Sequence, residues 1–334
     1  MPKILEVQTE HTHPFKTIIE VLKDMLPEVN IEFIDNNPKK SADADTDKNS
    51  GDTENNSQEN QENQENQDHL PNDQAQKDNG GMRILAVDTS KNVLINMRLD
   101  KKNFTKFACK KKKITLGVNL AYFHKLIKSM DKDDNMSLNV EDDDINHLRI
   151  NINNTSKNKK DEYKLKLLDL DKNEMTIPVI SFDVVVQMNA TEFHKVCREM
   201  SQIADFVEIR CTSNKIQFSC KGDYAERTTT YEVNNNGGDD NVSIKHSGST
   251  DAPIIQGIYE LKHLVLFGKC SSLCGEIQIY MKNKFPLVIR YQLPKLGRIL
   301  LCLTPLKDND NIAIDYSDEE NYYSDDDKCE YINQ

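Results

Sequence analysis

Several residue groups in this 334-residue chain have the types needed for metal binding or catalysis, and each falls short on spacing. The acidic turn Glu141–Asp144 and the pair Asp169/Asp171 could hold divalent ions for phosphodiester cleavage. Sequential acids on a turn, however, point in different directions. Asp169 and Asp171 fall on one face of an extended stretch, where solvated charge is expected. No general base, nucleophile or glycine-rich phosphate loop stands at a meaningful distance from either group. His11 and His13 form an isolated pair, and the eight cysteines include no Cys-x-x-Cys. Cys270 and Cys274 have no histidine pair at zinc-ligand spacing nearby. Asp43, Asp45, Asp47 and Glu54 match four ligand positions of a calcium loop, but Lys48 occupies the position that needs glycine. The expectation is a protein with no catalytic residue, no metal and no cofactor, and with free thiols in a reducing compartment.

What remains is positive charge. The net charge of −12 is unevenly spread: residues 35–80 carry −8 and residues 308–334 carry −9, which leaves +5 on the rest. A basic body with acidic appendages fits a nucleic-acid partner. The cations recur on helices. Phe15, Ile18, Ile19, Leu22, Met25 and Leu26 predict a helix over Phe15–Leu26, opened by Pro14 and stopped by Pro27. Lys16 and Lys23 share a stripe off its apolar face. A second helix, Leu120–Met130, buries Phe123, Leu126, Ile127 and Met130 and carries Lys125 and Lys128 elsewhere. A third, Ala190–Ile203, buries Phe193, Val196, Cys197, Met200 and Ile203, with Lys195, Arg198 and Gln202 on another stripe. The fourth, Leu261–Cys270, buries Leu264, Val265 and Phe267 and carries Lys262 and Lys269. Four helices with this sign bias in an acidic chain point to one shared surface for phosphates. No base-reading set of Arg, Asn and Gln is concentrated there, so sequence-independent backbone contact is implied.

Alternating stretches around these helices read as strands, and both halves share one order: strand, helix, several strands, helix, several strands. The fold class is α+β, two similar domains of antiparallel sheet with helices on one face. The expected division is a first domain over 1–153, a connector over 154–178, a second domain over 179–307 and an acidic tail over 308–334. Residues 36–80, with three consecutive Gln-Glu-Asn triplets, have almost nothing apolar to bury and are expected to form a disordered insert, as is the tail. The connector segment Asp161–Pro178 alternates through Leu165, Leu167 and Leu170, then closes on Met175, Ile177 and Pro178. Proline disfavours helix at the residue before it, so this end should lie extended, and its apolar side chains suit a pocket for an aromatic anchor. No secretory signal and no run of about 18 apolar residues is present, so a soluble intracellular protein with no membrane partner is expected.

Five stretches then carry a resemblance: FKTIIEVLKDML from Phe15, LGVNLAYFHKLIK from Leu116, DEYKLKLLDLD from Asp161, EFHKVCREMSQIAD from Glu192 and PLVIRYQL from Pro286. They are similar to the proliferating cell nuclear antigen family, the sliding clamps of eukaryotic-type DNA replication. The resemblance implies a head-to-tail homotrimer that closes a ring around duplex DNA. Lys16, Lys23, Lys125, Lys128, Lys195, Arg198, Lys262 and Lys269 would line the hole. Strands near His147–Asn153 and Ala225–Val233 would pair between subunits. Partners would be DNA polymerase, the clamp loader and other proteins that dock a short peptide in an outer groove. Met175, Ile177 and Pro178 would form one wall of that groove, with Val87, Lys91, Pro286, Cys302, Thr304 and Pro305 opposite.

The chain departs from the family in places. Lys91 stands where histidine is frequent, Cys302 where an aromatic is usual, and Ser213 where eukaryotic relatives carry the ubiquitin-modified lysine. The 36–80 insert and the long acidic tail are not typical either, and their Asn, Lys and Asp richness suggests an AT-rich genome, that of a divergent eukaryote or a large DNA virus. The protein would then work in the nucleus or in a viral replication compartment. Alternatives at this stage are a checkpoint-type clamp, a viral processivity factor that closes no homotrimer, and a metal-dependent nuclease.

Overall fold

The computed structural model describes residues 2–36, 80–171, 175, 177, 180–233, 242–247 and 254–306. The first half runs β1 (Lys3–Thr9), α1 (Thr12–Lys23), β2 (Glu28–Ile34), β3 (Gly81–Val87), β4 (Val93–Asp100), β5 (Lys106–Cys109), β6 (Lys113–Asn119), α2 (Leu120–Ile127), β7 (Asn135–Glu141), β8 (Asp144–Asn154) and β9 (Lys159–Lys166). The second runs β10 (Val184–Asn189), α3 (Ala190–Met200), β11 (Phe206–Cys211), β12 (Lys215–Lys221), β13 (Glu226–Glu232), β14 (Ser243–His246), β15 (Ile255–Glu260), α4 (Leu261–Phe267), β16 (Glu276–Met281), β17 (Leu287–Leu293) and β18 (Gly297–Leu303).

All strand pairs are antiparallel and form three sheets. A five-stranded sheet has the order β5-β1-β7-β8-β9, and a four-stranded sheet the order β13-β12-β11-β15. A nine-stranded sheet, β14-β10-β16-β17-β18-β4-β3-β2-β6, crosses both halves through the β18–β4 pair. The helices form a row: α1 packs on α2 and on the 3₁₀ turn Gly268–Leu273 that follows α4, and α3 packs on that turn and on α4. The two central members of the row are thus α1 and α4, and the flanking ones are α2 and α3. Phe15 meets Phe123 edge-on at 6.1 Å, and Phe193 meets Phe218 in the same way at 6.0 Å, which seats the helices on the core.

The helical faces read from spacing are the buried faces in the main, although Leu126, Ile203 and Val265 are only half-buried and α4 also buries His263, and the boundaries move. The first helix starts at Thr12, because the Phe15 amide already bonds to His11 O, and it ends at Lys23 in a turn closed by Leu26 N to Leu22 O. Pro14 lies in its first turn, where its missing N–H costs nothing. The other three helices each end three residues early, and the tail of α4 tightens into 3₁₀ geometry. Strand β5 begins only at Lys106, after a 3₁₀ turn at Lys101–Asn103. Strands β14 and β15 are not legible in the sequence.

Two expectations are corrected. Lys159–Lys166, placed in the connector, is a strand paired along its whole length with β8, so the link between halves begins after it. Strand β8, proposed to pair between subunits as His147–Asn153, is bonded on both sides, to β7 and β9, and offers no edge. The edge of that sheet is β9. Beyond it, Leu168 N donates to Gly117 O at 2.9 Å, and Asn30 Nδ2 to Asp171 O at 2.9 Å, which ties the start of the connector to β6 and β2.

Candidate functional site: a cationic helix face and an apolar sheet face

The acidic groups do not form a metal centre. Glu141 pairs with Arg149, Asp142 with Lys110, and Asp144 with His147 and Lys164. Glu141–Asp144 is therefore a set of separate surface pairs, and no metal-binding cluster occurs among the described residues. In the neighbouring run of lysines, Lys110 and Lys113 are likewise paired, Lys113 with Glu32. The calcium-like stretch Asp43–Glu54 and Cys329 lie outside the described residues. The seven described cysteines are free.

The eight cations assigned to phosphate contact divide into two groups. On the central helices they are engaged. Lys16 Nζ donates to Met130 O at 2.6 Å and to Lys128 O at 3.3 Å, capping the carbonyl end of α2. Lys23 pairs with Asp24 at 2.5 Å, and Lys269 reaches the same carboxylate at 3.6 Å, joining the two halves. Burial alone would raise the Asp24 pKa, but the Lys23 hydrogen bond and the two ammonium charges reverse this and lower it. Lys262 pairs with Glu260 at 2.5 Å.

On the flanking helices Lys125, Lys128, Lys195 and Arg198 are exposed, and none has an ion pair among the described residues. They are placed by one device used twice. Asn119 and Asn189 cap α2 and α3, their side chains accepting from Tyr122 N at 3.0 Å and from Thr191 N at 2.8 Å. From each asparagine the chain continues with three residues, then Phe-His-Lys, two apolar residues and a cation: Phe123-His124-Lys125…Lys128 and Phe193-His194-Lys195…Arg198. The phenylalanine is buried in both, so the lysine and the second cation emerge at matching places on each helix. Burial, aided by Lys23 and by Arg198 respectively, lowers the pKa of His124 and His194. Both are therefore neutral at physiological pH, and the charge of this face rests on Lys and Arg. Lys125 also lies 5.3 Å over the exposed ring of Tyr122. This repeated phrase was visible in the sequence and was not used in its reading.

The second feature is on the other side of the nine-stranded sheet. Strand register aligns Val185, Tyr280, Val288, Cys302, Leu94 and Val87 in one row across β10, β16, β17, β18, β4 and β3. Their strand neighbours, such as Val184, Ile279, Ile289, Leu301 and Ile95, belong to the main core, so the pleat turns this row to the opposite face. At the β10 end Phe182 and Ile180 cover it, with Phe182 5.6 Å from Tyr280. Toward β3 it opens, and Val87 is 36% exposed. Ile177 is 37% exposed, and Met175 is half-buried. Pro178 lies outside the described residues.

The rim of the opening is well ordered by hydrogen bonds. Asp88 accepts from Ser90 N, Ser90 Oγ, Asn92 N and Val93 N, which closes the β3–β4 turn and puts Lys91 at φ +62°. Thr304 N donates to Asn92 O at 2.9 Å, so Thr304 and Pro305 run beside that turn. Pro286 lies in the β16–β17 turn, which register places at the same end of the sheet. Cys302, mid-row, has its thiol pushed up to about 12 by burial and stays protonated. Sequence reasoning found Val87 and Cys302 but missed Leu94, Val288, Tyr280 and Phe182. The available signal was the unbroken apolar runs Leu287–Ile289 and Ile299–Leu303, the mark of strands covered on both faces.

Comparison with known proteins points to one family. The family model for the N-terminal domain of proliferating cell nuclear antigen matches residues 65–175, and that for its C-terminal domain matches residues 176–306. A probable DNA polymerase sliding clamp of Acanthamoeba polyphaga mimivirus is 30% identical over 311 residues, 92% of this chain. This chain spans 63% of the length of that relative. A probable DNA polymerase sliding clamp 1 of Paramecium bursaria Chlorella virus 1 is 29% identical over 68% of this chain and 84% of its own length. The proliferating cell nuclear antigen of Chaetomium thermophilum is 28% identical, covering 67% of this chain and 85% of its own. In fold, the crystal structure of the Entamoeba histolytica antigen matches with a TM-score of 0.70 at 20% identity, covering 92% of this chain and all of that one. The chain belongs to the proliferating cell nuclear antigen family.

Proposed function

We propose that this chain is a non-catalytic DNA sliding clamp: three copies close head-to-tail around duplex DNA and tether the replicative polymerase to it. The observation that carries this is the helix row, with Lys125, Lys128, Lys195 and Arg198 exposed on its two flanks and without an ion pair among the described residues. Mobile ammonium and guanidinium groups without acidic partners meet phosphates loosely and in any sequence, which permits sliding.

The ring reading is supported by unfilled sheet edges. Strand β9 ends the first sheet and β13 ends the third, and neither has a further strand beyond it among the described residues. A heterologous β9–β13 pairing between copies would satisfy both edges and, repeated, closes a ring. The open end of the apolar row supports peptide docking, with Val87, Leu94 and Cys302 as floor and Met175, Ile177 and Pro178 as wall. The polymerase, a clamp loader and other replication proteins would use it, in the nucleus or a viral replication compartment.

Light scattering is expected to give about 115 kDa, three chains of 38.3 kDa. After loading onto nicked circular DNA, the protein should stay bound in high salt and fall off when the circle is cut. Loss from the intact circle in salt would show binding by charge alone and end the ring reading. A mass near one chain would favour the processivity factor that closes no homotrimer.

A further inference from the structure

We propose that the groove is regulated by the chain itself: its acidic tail returns to the open end of the apolar row and docks there through Tyr322–Tyr323. The proposal rests on the reading of that row as the partner groove.

Three observations lead to this occupant. The first is where the tail begins. Thr304 is bonded to the β3–β4 turn and Leu306 N to Ile258 O, so the chain leaves the fold at the rim of the opening and the sequence then runs 28 residues further. Tyr322 lies sixteen positions beyond Leu306, a contour of about 50 Å, ample for a return over the sheet.

The second is charge. The turns at this end of the sheet carry Lys91, Lys282 and Lys284. The one acid of the β3–β4 turn, Asp88, is buried and aimed inward at four donors. Against these three lysines stands one further acid at this end, half-buried Asp183, whereas residues 308–334 hold ten acids and one lysine. The third is chemistry. The floor is apolar and partly uncovered, and within the acidic tail Tyr322 and Tyr323 form an adjacent aromatic pair flanked by Asp318–Glu320 and Asp325–Asp327. Two rings supply apolar area at low entropic cost, while the flanking acids meet the rim lysines.

Tethering makes even weak docking effective. A segment held on a short linker is present at roughly millimolar local concentration. With a dissociation constant of about 0.1 mM it would fill the groove some nine-tenths of the time and weaken a competing peptide about tenfold.

The test uses the full chain and its Tyr322→Ala/Tyr323→Ala variant, titrated against a fluorescein-labelled peptide of residues 311–328 and read by anisotropy. The peptide is expected to bind the variant about tenfold more tightly than it binds the parent chain. Adding Ile177→Glu to the variant should abolish that binding, and a peptide with both tyrosines replaced by alanine should not bind. Equal binding to parent and variant, no binding to either, binding that survives Ile177→Glu, or equal binding of the alanine peptide would each overturn the proposal. The groove itself is judged separately. If Ile177→Glu leaves clamp-dependent polymerase stimulation unchanged, the groove reading falls; if it removes stimulation while the peptide fails, only the tail proposal falls.

Discussion

The flanking helices α2 and α3 and the central helices α1 and α4 carry the same number of candidate cations, yet the two pairs spend them differently. In the centre, Lys16 closes the carbonyl end of α2, Lys262 is held by Glu260, and Lys23 and Lys269 share Asp24 where the halves meet. On the flanks, four cations project from two copies of one capped phrase and form no ion pair among the described residues, though Glu199 feels the charge of Lys195 and Arg198. A lysine on a helix face is therefore not by itself a phosphate contact. At the junction of two domains it can be part of the joint, and only its partners tell the difference.

The strongest way to break this comparison is to remove each set in turn. Replacing Lys125, Lys128, Lys195 and Arg198 with alanine should lower DNA affinity by about 100-fold or more at low salt and flatten its salt dependence, since each phosphate contact adds about 0.9 to the slope. Replacing Lys16, Lys23, Lys262 and Lys269 should cost less than about tenfold. Equal losses, measured by fluorescence titration across a salt series, would erase the distinction.

Next in size is a stability effect. Lys16→Met removes charged hydrogen bonds to two carbonyls and should cost about 1.5–3 kcal/mol in urea denaturation, with DNA affinity changed less than twofold. If affinity falls and stability does not, Lys16 belongs with the flanks. Asn119→Ala and Asn189→Ala should each cost about 1 kcal/mol by loss of a helix cap. A much larger cost at one site would mean that the two phrases are not equivalent.

The smallest effect concerns Asp24. Asp24→Asn frees Lys23 and Lys269 and should raise DNA affinity a few-fold at low salt. Because the folded state lowers the Asp24 pKa, its ion pairs stabilise fully above the unfolded value near 3.9, and the contribution is lost as pH falls through the lower folded value. The parent should therefore lose more stability than the variant between about pH 4.5 and 3. Parallel losses would place the joint elsewhere.

Much of the fold was legible because it depends on local period. The apolar spacing of Phe15–Leu22 and Phe193–Met200 identified faces that are indeed buried. Strand β15 escaped because Gly257 interrupts its pattern and Tyr259 OH fills the space a side chain would take. The edge status of β9 escaped for a different reason: alternation shows that a strand is half-buried, not which strands lie beside it. The same limit explains why eight lysines and arginines looked alike. Asp24 meets Lys269 only because α1 packs on the turn after α4, a contact between residues 245 positions apart. At the groove, Cys302 and Val87 could be named, but the row that unites them exists only in register.

The β4–β18 seam has a mechanical consequence. Seven consecutive residue pairs, from Gly297–Leu99 to Leu303–Val93, carry one sheet through the waist of the molecule. Bending there would shear that ladder as a unit, so the seam resists acting as a hinge between the two halves. If three copies close into the proposed ring, its compliance would sit at the joints between copies, and opening it would need only one β9–β13 joint to part while each copy keeps its shape.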